Sequence, residues 1–337
     1  MQVNTRELTS KDLLKNPYWR GLPPIRKFHL RSSSERFGAA HTIWKLIKSI
    51  RPYCPRSFAN WQHGWVWWNI ETSEGLMFDE SMKEHAGFIT SSPEYFNFLK
   101  TRGYLYPYLA PLPFFFSKPH KATKQKDLLI AFPIKSAEME PIKNISYFCE
   151  YLDFLETVKN NYEYVLVSIF SLDFSNQLKY EIERRGLSWV IGACPNDYNS
   201  LDRIRFLLES SEYSTMNCMS SSFVYSLFSR CKTSISGPYQ YHHLLTNNKH
   251  NKNTIEFKNA MNEVEKSHHY AINNFQKFFL SDPSQGLLDY NFAHSQINPC
   301  VNQDPRDIAT LLGWNYPQRF NFYFQGARRR LNRFISV

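Results

Sequence analysis

Residues 126–138, KDLLIAFPIKSAE, decide the fold. A charged lead-in enters a continuous apolar run, Leu128–Pro133. It is too short for a helix and is what a strand covered on both faces requires. The same pattern recurs downstream. Residues 141–160 read as a helix ending near Asn160-Asn161, and Tyr164–Phe170 as a second buried strand. Phe174–Arg185 reads as a helix capped by Gly186, and Ser188–Ala193 as a third strand. Ser200–Ser211 reads as a helix with Ile204, Leu207 and Leu208 on one face. Glu212–Asn217 reads as a short strand, Ser220–Arg230 as a helix and Lys232–Ser236 as a fifth strand. Strands alternating with helices of 10–15 residues predict βαβ units and a parallel sheet. Right-handed crossovers then predict an open, doubly wound α/β domain at about 125–240.

Upstream the chain is dense in aromatics. Residues 36–51 place Ala40, Ile43, Trp44 and Ile47 at helical spacing, an amphipathic pattern. Residues 61–68, WQHGWVWW, centre on His63-Gly64. Pro93 opens a further helix, with Phe96 and Leu99 on one side and Gly103 as its stop. Tyr104–Ser117 is free of charge but holds three prolines, so it reads as a turn or buried loop. Residues 1–35 read as an irregular basic arm and Lys118–Lys126 as a linker. Downstream, residues 255–280 read as a long helix. Asp304 and Pro305 form an N-cap and first-turn signal for another helix, reaching Leu312. Arg319–Phe334 is basic and aromatic.

Composition narrows the classes. The 337 residues are 42% hydrophobic and 21% charged, enough apolar mass for a core and too little charge for a disordered chain. Only 12 residues are glycine, which excludes collagen-like and linker-dominated chains. The net charge of +10 points to a polyanion, an anionic surface or a phosphate-bearing substrate. No apolar stretch is long enough to span a bilayer, and the polar first residues carry no secretory signal pattern. Reduced thiols and a cytoplasmic setting are therefore expected for the six scattered cysteines. No zinc spacing, glycine-rich nucleotide loop, nucleophile elbow or metal-gripping carboxylate pair occurs, and no metal and no cofactor are expected.

In an open α/β sheet the ligand lies beyond the carboxyl ends of the strands, which singles out four loops. They are Pro133–Glu140, Ser171–Asp173, Cys194–Asp197 and Asn217–Ser222. The last runs into a helix with Ser220, Ser221 and Ser222 at its start, where free N–H groups and the positive dipole end suit a phosphate. Plain N-capping is the competing reading. Lys135 is placed to neutralise phosphate charge, or is simply solvated. Glu138 and Glu140 are candidates to hold a ribose or act as a base, or are first-turn helix residues. Ser136, Asn196, Asp197 and Asn217 complete the nucleotide-binding candidates. His63 is the first candidate base, with Glu138 beside it, and packing in an aromatic cluster is its alternative. Gln62, Gly64 and Trp65 are the acceptor-side candidates, although core packing competes for the tryptophans. The pairs His242-His243 and His268-His269 are adjacent in sequence and point apart, which does not suit a metal.

Taken in order, these motifs resemble the GT-B-like glycosyltransferases of bacterial capsule and O-antigen loci. The resemblance spans about residues 60–235. It rests on Gln62, His63, Gly64 and Trp65; on Leu99, Gly103 and Tyr104; on Pro133, Lys135, Ser136 and Glu138; and on Asn217, Ser220, Ser221 and Tyr225. Lys135 stands where a histidine is expected, and Ser220 where a glycine is. The Ser-Ser pair is similar to that of bacterial transferases using CMP-activated acidic sugars. The resemblance implies two Rossmann-like domains facing a cleft, the nucleotide on the C-terminal one, and no obligatory metal.

The expected division is an acceptor-side domain at 1–122, a nucleotide-binding domain at 123–245 and C-terminal helices at 246–337 packing back across both. The expected activity is sugar transfer from a nucleotide sugar to a surface polysaccharide, close to the inner face of an anionic membrane. Two other classes compete. One is a basic nucleic-acid-binding protein, although no nucleic-acid motif occurs and nucleic acid is not the expected partner. The other is a non-catalytic scaffold of a glycan assembly complex.

Overall fold

A computed structural model describes residues 19, 21–47, 53–68, 87–104, 106–120, 124–136, 145–240, 255–299 and 304–315. Glu138, Glu140, the first eighteen residues and the Arg319–Phe334 tail lie outside the described residues.

The strands expected from the βαβ pattern form. They are β4 (Gln125–Phe132), β5 (Tyr164–Ile169), β6 (Ser188–Ile191), β7 (Ser211–Met216) and β8 (Lys232–Ile235). Five helices set the chain around this sheet: α1 (Ala39–Ile47), α3 (Ser146–Val158), α4 (Asn176–Glu183), α5 (Ser200–Ser210) and α6 (Ser221–Phe228). All described pairings in the sheet are parallel, and the order is β6-β5-β4-β7-β8. Adjacent side chains of β4 enter opposite cores. Leu128, Ile130 and Phe132 join one apolar cluster with α5 and α6, while Leu129 and Ala131 join another with α3 and α4. Helices therefore cover both faces, as a doubly wound sheet requires. The chain reverses direction between β4 and β7, so the crevice beyond their carboxyl ends is the place where this topology binds ligands.

The aromatic half is built differently from the expectation. Among the described residues it holds a three-stranded parallel sheet, β1 (Asn60–Trp61), β2 (Phe88–Thr90) and β3 (Pro107–Leu109), in sequential order. β3 and a 3-10 helix at Pro113–Phe116 occupy the segment read as a turn or buried loop. Pro107 is tolerated because it opens an edge strand, where a missing N–H costs no ladder bond. Helix α2 (Pro93–Thr101) is capped by Ser92, which accepts from Tyr95 N, and its buried pair is Tyr95 and Leu99 rather than Phe96 and Leu99.

One apolar cluster joins the two sheets, running from Ile43 through Trp61 and Phe114 to Phe223. Phe114 stacks on Tyr225 at 4.0 Å between centroids. The C-terminal helices α7 (Ile255–Asn274), α8 (Tyr290–Ile297) and α9 (Pro305–Leu311) follow. Backbone bonds from Leu112 N to Ile297 O and from Phe58 N to Leu312 O tie this segment to the aromatic half. Among the described residues no helix is long and apolar enough to cross a membrane.

The segment read as an irregular arm is anchored from Gly21 to Arg31. Phe28 N donates to Asn196 O and Tyr198 N to Arg26 O, and Arg203 Nη1 reaches Pro23 O. Ile25 is buried in the second core cluster. A kink then turns this strap into α1, with Phe37 at φ 57° and Gly38 at φ 73°. A Cβ on Gly38 would lie 2.6 Å from Tyr198 O and 2.8 Å from Asp197 O, so only glycine fits there.

Candidate functional site

The crevice between β4 and β7 holds a small cleft of about 50 Å³. Pro133 and Lys135 line it from the loop after β4, Cys218, Ser220 and Ser222 from the loop after β7, and Ser168 and Ala193 from the neighbouring strand ends. Gly192 permits this closeness, because a Cβ there would meet Ser168 Oγ at 2.0 Å. Three residues chosen from sequence, Lys135, Ser220 and Ser222, therefore come together although up to 87 positions separate them.

The Lys135 ammonium has no ion pair or hydrogen bond to a described residue. It lies 4.9 Å from the Phe170 ring centroid and 6.0 Å from that of Phe37. Burial lowers its pKa, Asp173 opposes that, and Arg36 adds to it. A desolvated cation beside neutral rings is stabilised by an anion. Ser220 is the N-cap of α6, its Oγ accepting from Ser222 N at 3.3 Å.

His63 reaches the same neighbourhood from the other sheet. Its ring lies 5.2 Å from that of Phe37. Burial, then the charges of Lys135 and Arg36, push its pKa down to about 3, so the imidazole is neutral at neutral pH. Tyr225 of α6 donates its hydroxyl to His63 O at 2.9 Å, and Trp65 N donates to Ser221 Oγ at 2.9 Å. The helix that starts at the cleft thus holds the His63-Gly64-Trp65 turn.

Several candidates are corrected by their surroundings. Ser221 accepts from the Trp65 backbone and does not line the cleft. Trp65 is 4% exposed. It stacks on Phe223, with Phe275 and Phe292 at its edges, and its indole N–H donates to Gln296, so no ring face is left for a sugar. Gln62 is fully buried; it donates to Gly64 O and accepts from Thr90 Oγ1 and Ser91 N, cross-linking β1, β2 and the turn. Gly64 is buried and supplies that carbonyl. None of the three is placed to touch an acceptor.

On the nucleotide side, Asn217 is buried and its Oδ1 accepts from Ile134 N at 2.8 Å, which locks the β4 loop to the β7 loop. Ser136 is buried, and its N–H donates to Asp173 Oδ2 at 2.8 Å. Both position Lys135 rather than line the cleft. Asn196 accepts the Cys194 thiol and, through its carbonyl, Phe28 N. Asp197 is fully buried and accepts from Arg26 N and Asn199 N. These two hold the strap and lie outside the cleft lining. Sequence reading missed Arg36, whose charge acts on both Lys135 and His63. No sequence signal marked it; the Phe37-Gly38 kink beside it, with Phe37 at a positive φ, is visible only in the structure.

No protein-family model and no curated protein matches the chain. Among solved structures it is similar to TarM, at 15% identity and TM-score 0.35 over 75% of this chain and 50% of that one. It is also similar to an S. aureus TarM mutant in complex with Fondaparinux, alpha-GlcNAc-glycerol and UDP, at 14% identity and TM-score 0.32 over 64% and 48%. The chain spans about half the length of these structures.

Proposed function

We propose that this protein is a glycosyltransferase that moves a sugar from a nucleotide-sugar donor to a saccharide acceptor. The observation that carries the reading is the cleft at the β4–β7 crevice, lined both by a desolvated Lys135, which has no ion pair among the described residues, and by the serines at the start of α6. That combination offers a phosphate the charge of Lys135 and the positive end of the α6 dipole, while the Ser222 and Phe223 N–H groups are taken by Ser220. The sequence resemblance to GT-B-like transferases supports the same reading.

In the reaction, an acceptor hydroxyl gives its proton to His63. The acceptor oxygen bonds to the anomeric carbon of the donor sugar, and the bond from that carbon to the phosphate oxygen breaks. Lys135 and the α6 start stabilise the charge left on the phosphate, without calling on a metal. A base whose pKa stays near 3 is weak. A donor phosphate offsets the two cations that help hold the value down, while burial, the larger cause, remains. The acceptor class is a surface polysaccharide of the capsule or O-antigen kind, extended close to the inner face of a membrane. The basic termini give the protein its hold on that anionic surface.

The test is titration of the purified chain with CMP, UDP, GDP and CDP, followed by transfer assays with sugars of whichever nucleotide binds. Binding that falls at least tenfold in Lys135→Ala supports the reading. Absence of binding by all four nucleotides overturns it.

A further inference from the structure

A second, larger cavity lies outside the cleft. It holds about 530 Å³, within the range usual for ligand sites. The strap supplies Arg26 and Phe28, α1 supplies His41 and Trp44, and the loop after β6 supplies Tyr198, with Tyr53 at the rim. Tyr53 is 81% exposed, a large aromatic ring left in solvent.

Three features define its chemistry. The first is charge. Arg26, Arg31 and Lys45 line the cavity, and no carboxylate does. Arg31 is paired with Glu35 at 2.6 Å, and Lys45 with Asp202 at 2.6 Å. Arg26 is exposed and has no ion pair with a described residue, so among the described residues it is the cation of this wall whose charge is not matched by a carboxylate. The second is a buried polar atom without a partner. His41 is 1% exposed, and its Nδ1 makes no hydrogen bond among the described residues. Burial, Lys45 and Arg31 keep its ring neutral, with a pKa of about 3. A buried ring nitrogen without a partner costs stability until a ligand group meets it. The third is the shape of the aromatic surface. Phe28 and Tyr198 are already stacked on each other, 4.6 Å between centroids and 28° apart in plane. No slot remains between them for a flat base, and single ring faces of this kind suit the C–H faces of a sugar.

We infer that this cavity binds an acidic saccharide unit. A carboxylate or phosphate on the sugar pairs with Arg26, a hydroxyl meets His41 Nδ1, and the ring lies against the aromatic wall. The loop after β6 borders both sites, since Ala193 lines the cleft while Tyr198 and Asn199 line this cavity. On the transferase reading, the cavity is where an acidic acceptor chain is gripped. Binding itself needs neither donor nor turnover, so the two readings can fail separately.

The experiment is calorimetric titration of the full chain with trigalacturonic acid, maltotriose and tripolyphosphate, on wild type, Arg26→Glu and His41→Phe. Arg26 is exposed, so its variant folds even where a change at buried His41 disturbs the core. The expected result is binding of trigalacturonic acid that weakens at least tenfold in Arg26→Glu, with maltotriose weaker than trigalacturonic acid. Nucleotide binding at the cleft should be unchanged in Arg26→Glu. The inference is overturned if Arg26→Glu binds as wild type does, if maltotriose binds equally well, or if no saccharide binds. Equal affinity for tripolyphosphate also overturns it, because the site is then a simple anion patch. So does an Arg26-dependent preference for an oligonucleotide over the saccharide.

Discussion

The Tyr225 hydroxyl donates to the carbonyl oxygen of His63 at 2.9 Å across 162 residues of chain. With the bond from Trp65 N to Ser221 Oγ, it fixes the His63 turn to the helix whose start lines the cleft. The placing of His63 against that helix start is thus set by one rigid element rather than by a loop.

Removing that link should separate positioning from binding. Tyr225→Phe keeps the ring that stacks on Phe114 and loses one hydrogen bond, about 0.5–1.5 kcal/mol. We expect a melting point lower by a few degrees, unchanged nucleotide affinity and a transfer rate reduced several-fold. Full activity in this variant would show that the tether does not matter.

Lys135 should behave as an anion-binding residue. Replacing a charged hydrogen-bonding group that contacts a ligand costs about 1.5–3 kcal/mol, so Lys135→Ala should weaken nucleotide diphosphate binding by roughly 10- to 100-fold. The fold should be unaffected or slightly stabilised, because a desolvated ammonium is removed from beside Phe170. Titration calorimetry and a melting curve on the same sample read both effects.

Stability should fall on acidification from pH 7. Both His41 and His63 have folded pKa values near 3 against an ordinary value of 6.5. Between those values the unfolded chain binds protons that the folded chain refuses. Stability therefore rises with pH through this window and is complete above about pH 6.5. Each histidine contributes a slope of up to about 1.4 kcal/mol per pH unit. Urea melts at pH 7, 6 and 5 should show the loss, and His63→Asn should cut the slope by about half, leaving the part due to His41. A flat profile in wild type would contradict the burial of both rings.

Trp65→Ala should destabilise the protein by about 3–5 kcal/mol, since it empties the space between Phe223, Phe275 and Phe292. Denaturant unfolding measures this directly. A variant of normal stability with only a saccharide-binding defect would restore the sugar-stacking role.

Gly38→Ala should also cost stability, because its Cβ meets two backbone carbonyl oxygens at a positive φ. Backbone cannot move aside as a side-chain tip can. We expect a loss of at least about 1 kcal/mol, together with weaker binding at both the cleft and the second cavity, which this kink joins. A comparison of Gly38→Ala with Ala39→Gly in the same assays separates the steric effect from general loosening of α1.

The five parallel strands were legible because each is a short apolar run bounded by helix patterns, and local pattern decides burial on both faces of such a sheet. The strand order was not read from the sequence, which singled out only four loops beyond the strand ends, Lys135 and Ser220 among their residues. β3 was not legible, since the prolines of Tyr104–Ser117 disfavour a strand everywhere except at an edge. Ser221, Asn217 and Asp197 have protein partners that the sequence did not reveal, for a different reason. A polar side chain near a strand end reads the same whether it meets a ligand or a backbone N–H. Each of these three accepts a bond from a residue 80 or more positions away, Trp65 N, Ile134 N and Arg26 N.

By itself the sequence determined the parallel strands and the loops beyond their carboxyl ends, with Lys135 in one and a serine-rich helix start in another, because these depend on periodicity and chain order. Only the tertiary structure decided which serine faces the cleft, that Trp65 is core, that His63 is neutral and that a strap and α1 enclose a second basic, aromatic cavity. Those outcomes depend on long-range packing, where burial sets both the hydrogen-bond partner of a polar group and its charge.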